Sequence, residues 1–297
     1  MYNTLRNIPQ GGFVVKIAIS ADSAIDLTKE LKEKYDIRTV PFTVLLGTEE
    51  KKDGDLTTDE LLSFTERTKT LPKTCAINES EFGEHFDNLL KDYEAVVHFS
   101  ISSGLSSACN NAIAAAKARK NVYVVDSLSL STGIALLAVY ARELADKGFG
   151  AEEIYKKCLA RVPFVHASCE LKRIDFLYRG GRCSALVYLG ANLLKIRPQI
   201  ICKDGKMVAG KKYRGNYAHV VDKYVSDTFS EFDNPDLTRA FITYTTADKE
   251  ILERVRLMLK GRGFKDVEIT RAGATITGYT GEDCLGICYI NDGAPKD

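Results

Sequence analysis

The segment Ser100-Ile101-Ser102-Ser103-Gly104-Leu105-Ser106-Ser107 sets a cluster of hydroxyls directly ahead of an alanine-rich run ending at Lys117. Apolar residues, Val96-Val97-His98-Phe99, precede it. The pattern reads as a strand, a hydroxyl-rich turn and the first turn of a helix. Unpaired amides at a helix N-terminus and the positive end of its dipole both favour an anion. The chemistry this spacing supports is the holding of a carboxylate or a phosphate. It also falls at the carboxyl end of a strand, where open α/β sheets bind ligands.

Other strand ends carry related signatures: Asp22-Ser23, Asp126-Ser127, and Thr74 after Pro72-Lys73. Taken singly, each caps the helix that follows. Their coincidence at one sheet edge makes a site an equal reading. Asp22 and Asp126 would suit metal or acid–base work, but no G-x-x-x-x-G-K loop accompanies them, and capping is the preferred role. Ser106 as a nucleophile would need a base. The histidines, 85, 98, 166 and 219, are scattered, and no G-x-S-x-G elbow is present. Arg179-Gly180-Gly181-Arg182 pairs an abrupt turn with forked donors suited to carboxylate or phosphate. Lys211, Lys212 and Arg214 add positive charge further on. A solvated loop and hairpin explain these residues equally well.

The elements that position these groups alternate in type. Strands are expected at Val14–Ser20, Arg38–Leu46, Ala95–Ile101 and Val122–Val125. Helices are expected at Asp26–Tyr35, opened by Asp26, from Thr57 or Thr58 to about Arg67, and at Glu79–Lys91, Ser106–Lys120, Ser129–Lys147 and Ala151–Leu159. This order predicts a doubly wound, mostly parallel sheet over residues 1–160. Beyond Pro163 the texture changes to an α+β pattern over 161–297. It has strands at Phe164–Cys169, Phe241–Thr245, Val267–Thr270, Ala274–Thr277 and Leu285–Ile290, and helices at Asn216–Phe229 and Lys249–Lys260. Asp204-Gly205 between Arg197–Cys202 and Met207–Lys212 predicts a hairpin. The segment from Arg38 to Asp55 could pack on either half.

Among 297 residues, 41 Lys and Arg nearly balance 40 Asp and Glu, a formal net charge of +1. Nothing in that balance points to nucleic acid. No apolar run is long enough to span a bilayer, so no stable membrane insertion is expected. Lys16 interrupts the apolar stretch Phe13–Ile19, which reads as a strand and not a secretory segment, and residues before Gly12 read as a loose extension. The eight cysteines include no C-x-x-C pair, and Cys284 and Cys288 share one strand face without metal-type partners. Free buried thiols in a reducing cytoplasm are the expectation, with no metal and no cofactor.

In order and spacing these pieces resemble the DegV family, the fatty-acid-binding subunits of bacterial fatty acid kinase. The matching segments are Asp22-Ser23 with Asp26-Leu27, Pro72-Lys73-Thr74, Ile101-Ser102-Ser103-Gly104-Leu105-Ser106, Val125-Asp126-Ser127 with Gly133, Leu177 through Arg182, and Leu194-Lys195-Ile196-Arg197-Pro198. The resemblance implies two α/β domains with a lipid tunnel between them. A long-chain fatty acid such as palmitate or oleate would lie inside, its carboxylate bound by Thr74 and Ser106, with Ser107 and Tyr279 at the same head group. It implies a non-catalytic carrier that presents the acid to a separate kinase subunit making an acyl phosphate, with Arg182 and Arg214 as docking or phosphate-steering groups. Burying an acyl tail gains on the order of 10 kcal/mol gross, at roughly 0.8 kcal/mol per methylene.

This chain departs from the family pattern in three places. Ser107-Ala108 replace Gly-Thr, Thr74-Cys75-Ala76-Ile77 replaces Thr-Ser-x-Pro, and Tyr279 stands where the family often has histidine. A phenol donates a hydrogen bond but is not a cation at neutral pH. The competing classes are a serine-dependent acyl hydrolase, a phosphotransferase acting on a small acid, and a regulatory protein whose lipid is structural.

Overall fold

The computed structural model describes residues 16–183 and 196–293. The loose extension, the start of the first expected strand, and Leu194-Lys195 of the family-like segments lie outside the described residues. Four strands, β1 (Ile17–Asp22), β2 (Ile37–Val40), β6 (Ala95–Ser100) and β7 (Val122–Asp126), form a parallel sheet in the order β2-β1-β6-β7. All residues of β1 and β6 are buried, as central parallel strands covered on both faces must be. Helices α3 (Glu79–Leu89), α4 (Ala108–Ala116), α5 (Thr132–Asp146) and α6 (Ala151–Arg161) accompany this sheet.

A second sheet of six strands has the order β10-β9-β8-β13-β11-β12. It comprises β8 (Val165–Glu170), β9 (Arg197–Lys203), β10 (Lys206–Tyr213), β11 (Arg239–Tyr244), β12 (Asp266–Arg271) and β13 (Leu285–Ile290). Only β11 and β12 pair in parallel, joined by α9 (Lys249–Gly261); the other pairs are antiparallel. The strand–helix alternation thus yields the expected mixed α/β fold. Helix α5 contacts strands of both sheets. Almost all of it is buried, as an all-round apolar helix requires.

A small sheet, β4-β3-β5, is built from β3 (Thr43–Leu46), β4 (Glu49–Lys52) and β5 (Lys73–Cys75). It packs with α2 (Thr58–Thr68) and α10 (Ala274–Thr280) around Val44, Leu61 and Ala274. The Arg38–Asp55 segment therefore reaches residues late in the chain. Thr57 caps α2 in a full capping box: Glu60 N–H donates to Thr57 Oγ1 at 3.2 Å, and Thr57 N–H to Glu60 Oε2 at 2.8 Å. Thr57→Ala is expected to lower stability by about 1 kcal/mol in urea denaturation, with an unchanged m-value. An unchanged midpoint would show that the box contributes nothing.

Three expected elements differ. The strand Arg38–Leu46 is two strands in different sheets, broken at Pro41, which has no N–H to donate. Asp26 does not open a helix; it lies at φ +55°, and Thr28 caps α1 (Lys29–Lys34) instead. Ala274–Thr277 is helical, although Thr275-Ile276-Thr277 is a β-branched run. Tertiary contacts override that preference. Gly273 N–H donates to Asp26 Oδ1 at 2.8 Å and Ala274 N–H to Asp53 Oδ1 at 3.0 Å, so two carboxylates hold the first turn of α10. The hairpin forms as expected, with Asp204 and Gly205 both at positive φ, as a type I′ turn requires.

Candidate functional site

The serine turn follows β6. Ser102 is consumed structurally: its hydroxyl donates to Gly205 O at 2.7 Å and accepts from Gly104 N–H at 3.1 Å. This fastens the β9–β10 hairpin tip to the turn, and Gly104 has no room for a Cβ, which would meet Gly205 O at 2.5 Å. Ser106 is half-buried, and its oxygen accepts the Ala108 N–H at 3.2 Å. That bond occupies the oxygen and leaves the hydroxyl proton available to a ligand.

Thr74 reaches the same place from β5 and Tyr279 from α10. Their hydroxyls are 2.8 Å apart, and one donates to the other. The pair therefore presents a single outward donor, polarised by the first bond. Arg182 lies over the Tyr279 ring, 5.2 Å from its centroid, and donates to Gly180 O at 2.6 Å. Gly180 has to be glycine, because a Cβ would sit 2.5 Å from the ring; Gly181, at φ +70°, turns the chain. The abrupt Gly-Gly turn thus seats the arginine on the phenol.

Thr74, Ser106, Arg182 and Tyr279 line one small cavity, whose walls are otherwise mainly apolar and include Ile101 and Leu105. A second small cavity is almost wholly apolar. Leu130, Met207, Ile276 and Thr280 line both, so the hydroxyl-bearing cavity and the almost wholly apolar one are neighbours. Cys169, Cys202, Cys284 and Cys288 are in the apolar wall. Burial pushes the Cys202 and Cys288 thiols up to about 12, so they stay neutral. All eight cysteines are free; Cys109, Cys158, Cys183, Cys284 and Cys288 are buried as expected, whereas Cys169 and Cys202 are only partly buried and Cys75 is exposed at the end of β5. The family resemblance implied a lipid tunnel, but residue spacing did not find this chamber; the signal was the alternation of small residues at Ala167, Cys169 and at Cys284, Gly286, Cys288.

The remaining candidates fall elsewhere. Ser107 is exposed at the start of α4, makes no capping bond and is not in the wall of either cavity. Arg214 is exposed beyond β10. Asp22 and Asp126 do not cap helices. Asp22 Oδ2 accepts from Ser100 Oγ at 3.0 Å and Ile101 N–H at 2.7 Å, tying β1 to the root of the serine turn. Asp126 Oδ1 accepts the Ser103 and Leu128 N–H groups at 3.2 and 3.0 Å, bracing the turn from β7. Among the described residues no histidine lines either cavity. His98 and His166 are spent in buried networks with Ser20 and Ser168. Burial holds His166 down at about 3 and His85 at about 4.

A parallel sheet with a cavity that carries hydroxyl side chains and an arginine, next to an almost wholly apolar one, fits the class of a small-molecule binding protein with an amphipathic ligand. A family profile described as uncharacterised protein, DegV family, matches residues 16–292, and the chain belongs to that family. It is 29% identical over 284 residues to a fatty acid-binding protein of Thermotoga maritima, covering 92% of this chain and 96% of that one. Its fold matches a fatty-acid-binding DegV family protein of Thermus thermophilus with a TM-score of 0.85 at 23% identity, covering 93% of this chain and 99% of the other. It also matches the Streptococcus pneumoniae fatty acid kinase B3 protein, solved loaded with linoleic acid, with a TM-score of 0.79 at 21% identity, covering 93% and 100%. Among the described residues no helix is long and apolar enough to cross a membrane.

Proposed function

We propose that this protein is a carrier of long-chain fatty acids, acting in the cytoplasm without a cofactor of its own. The observation that carries the reading is a pair of neighbouring cavities with four wall residues in common: hydroxyl donors and Arg182 in one, an almost wholly apolar wall in the other. A fatty acid has the same two ends. The tail gains from leaving water, and the buried carboxylate needs donors to offset its desolvation. Ser106 and the Thr74–Tyr279 pair supply neutral donors, and Arg182 supplies the charge. The similarity to the Thermotoga maritima fatty acid-binding protein supports this assignment.

The carrier performs no chemistry itself; a separate kinase subunit phosphorylates the carboxylate, with Arg182 and Arg214 steering phosphate or docking the partner. The kinase half of the proposal rests on the motif resemblance, and the fold is shared with the pneumococcal kinase-named protein. A serine hydrolase has less support, since among the described residues no histidine bonds to Ser106 or lines its cavity. The test is fatty-acid affinity of the delipidated protein. Ser106→Ala combined with Thr74→Ala should weaken oleate binding about a hundredfold, the effect of removing two hydrogen bonds to a charged group. Unchanged affinity would place the carboxylate elsewhere.

A further inference from the structure

The carrier reading leaves one hydroxyl of the Ser106 cavity without a role, and this inference rests on that reading. Thr275, Ile276, Tyr279 and Thr280, four of the seven residues of α10, line that cavity. Their spacing sets them on one side of the helix, with Thr275 one turn before Tyr279. Thr275 is only 3% exposed, and its hydroxyl has no hydrogen-bond partner among the described residues. The other threonines of the helix differ. Thr277 Oγ1 donates to Ala272 O at 3.4 Å and Thr280 Oγ1 to Ile276 O at 3.1 Å. We propose that Thr275 is a further head-group residue, whose hydroxyl donates to a carboxylate oxygen of the bound acid.

A buried hydroxyl without a partner costs free energy that an apolar side chain of similar shape would not. An acceptor for it has to come from outside the wall. Thr74 and Tyr279 bond to each other, Ser106 to the Ala108 N–H and Thr280 to its own helix. The other wall residues, Phe42, Ile101 and Leu105 among them, carry no side-chain oxygen. A carboxylate brings two oxygens with about four lone-pair sites. Ser106 and the Thr74–Tyr279 pair occupy two of these, so a third neutral donor has a site to fill. The carboxylate also makes the bond charge-assisted and strong. Thr275 thus stores an unmet hydrogen bond in the empty protein that the ligand satisfies. A site of this kind rejects ligands that lack the matching group.

The test uses the delipidated full chain, titrated calorimetrically with oleate. Thr275→Val should weaken oleate binding about tenfold, the effect of losing one hydrogen bond to a charged group. Thr275→Ser should restore most of that loss. The ligand-free Thr275→Val protein should be at least as resistant to urea as wild type, because the orphan hydroxyl is gone. A threonine that only packs the helix would behave in the opposite way. The infrared carboxylate stretch of bound oleate, isotope-labelled in its carboxylate, should also shift between wild type and Thr275→Val. Unchanged affinity with an unmoved stretch would overturn the proposal, leaving water to satisfy the hydroxyl and the carrier reading intact. A loss that Thr275→Ser fails to restore would assign the residue to packing and overturn it equally. Failure of the wild-type protein to bind oleate would overturn both readings. Should Thr275→Val not fold, Thr275→Ala removes the same hydroxyl with a better helix former.

Discussion

Arg161→Met is expected to destabilise the fold by about 3–5 kcal/mol at neutral pH, the cost of leaving buried charge without its partner. Arg161 closes α6 and is almost fully buried. Its Nε and Nη2 donate to both oxygens of Asp292 at 2.9 Å, and Nη2 also to Asp236 Oδ2 at 2.7 Å. The guanidinium lies 4.8 Å from the centroid of the Tyr140 ring in α5. One cation thus binds a helix on the first sheet to two loops of the second. Burial acts to raise Asp236, but the hydrogen bonds from Arg161 and Thr238 outweigh it and hold the carboxyl below its ordinary value. That contribution is present above the ordinary carboxylate range and is lost as the pH falls through it. Methionine matches the arginine stem in volume but leaves both carboxylates unpaired. Urea denaturation at pH 7 measures the loss, and adding Asp236→Asn and Asp292→Asn should recover part of it. A loss below about 1 kcal/mol would show that water enters and solvates the pair.

That ion triad was invisible in the sequence, because its members lie 75 and 131 positions apart and nothing local marks them. Local chemistry was legible. Asp204-Gly205 specified its turn, Thr57 and Glu60 their capping box, and the serine cluster its place after a buried strand. Thr74 and Tyr279 could be named from family-like order, yet their contact joins residues 205 positions apart and no spacing rule would pair them. Helix α10 misled for a physical reason. Its β-branched residues prefer strands, and what makes them helical is a clasp of carboxylates from Asp26 and Asp53, far back in the chain. The same clasp explains why Asp26 failed as a helix cap: its side chain was committed to Ser131 Oγ at 2.6 Å and to α10. The hydroxyl-bearing cavity was legible through side chains that carry chemical signatures. The apolar one was not, because small side chains on a sheet read as ordinary core until register places them under a cavity.

Asp22→Asn is expected to change the pH dependence of stability by about 4 kcal/mol between pH 4 and 7. Burial is the dominant cause of the raised Asp22 carboxyl, which titrates at about 7 against an ordinary 3.8. The Ile101 N–H, the Ser100 hydroxyl and the Ala24 N–H pull it back only in part. In the unfolded chain the group loses its proton near pH 4; in the native protein it keeps that proton until about pH 7. Over that interval the native state binds more protons, so stability falls as the pH rises and levels off above the native value. A shift from 3.8 to about 7, at about 1.4 kcal/mol per unit, sets the size of the effect. Asparagine keeps the accepting oxygen for Ile101 and Ser100 but cannot ionise. The difference in unfolding free energy between variant and wild type should therefore move in favour of asparagine from pH 4 to 7 and then stay constant. Any cost of fitting the amide is independent of pH and cancels from this comparison, so the slope is diagnostic even if Asp22→Asn is the less stable protein at pH 4. Parallel stability curves would mean that Asp22 is ionised in the native state throughout, its charge sustained by solvent at the root of the serine turn. The turn carrying Ser106 would then rest on a charged anchor.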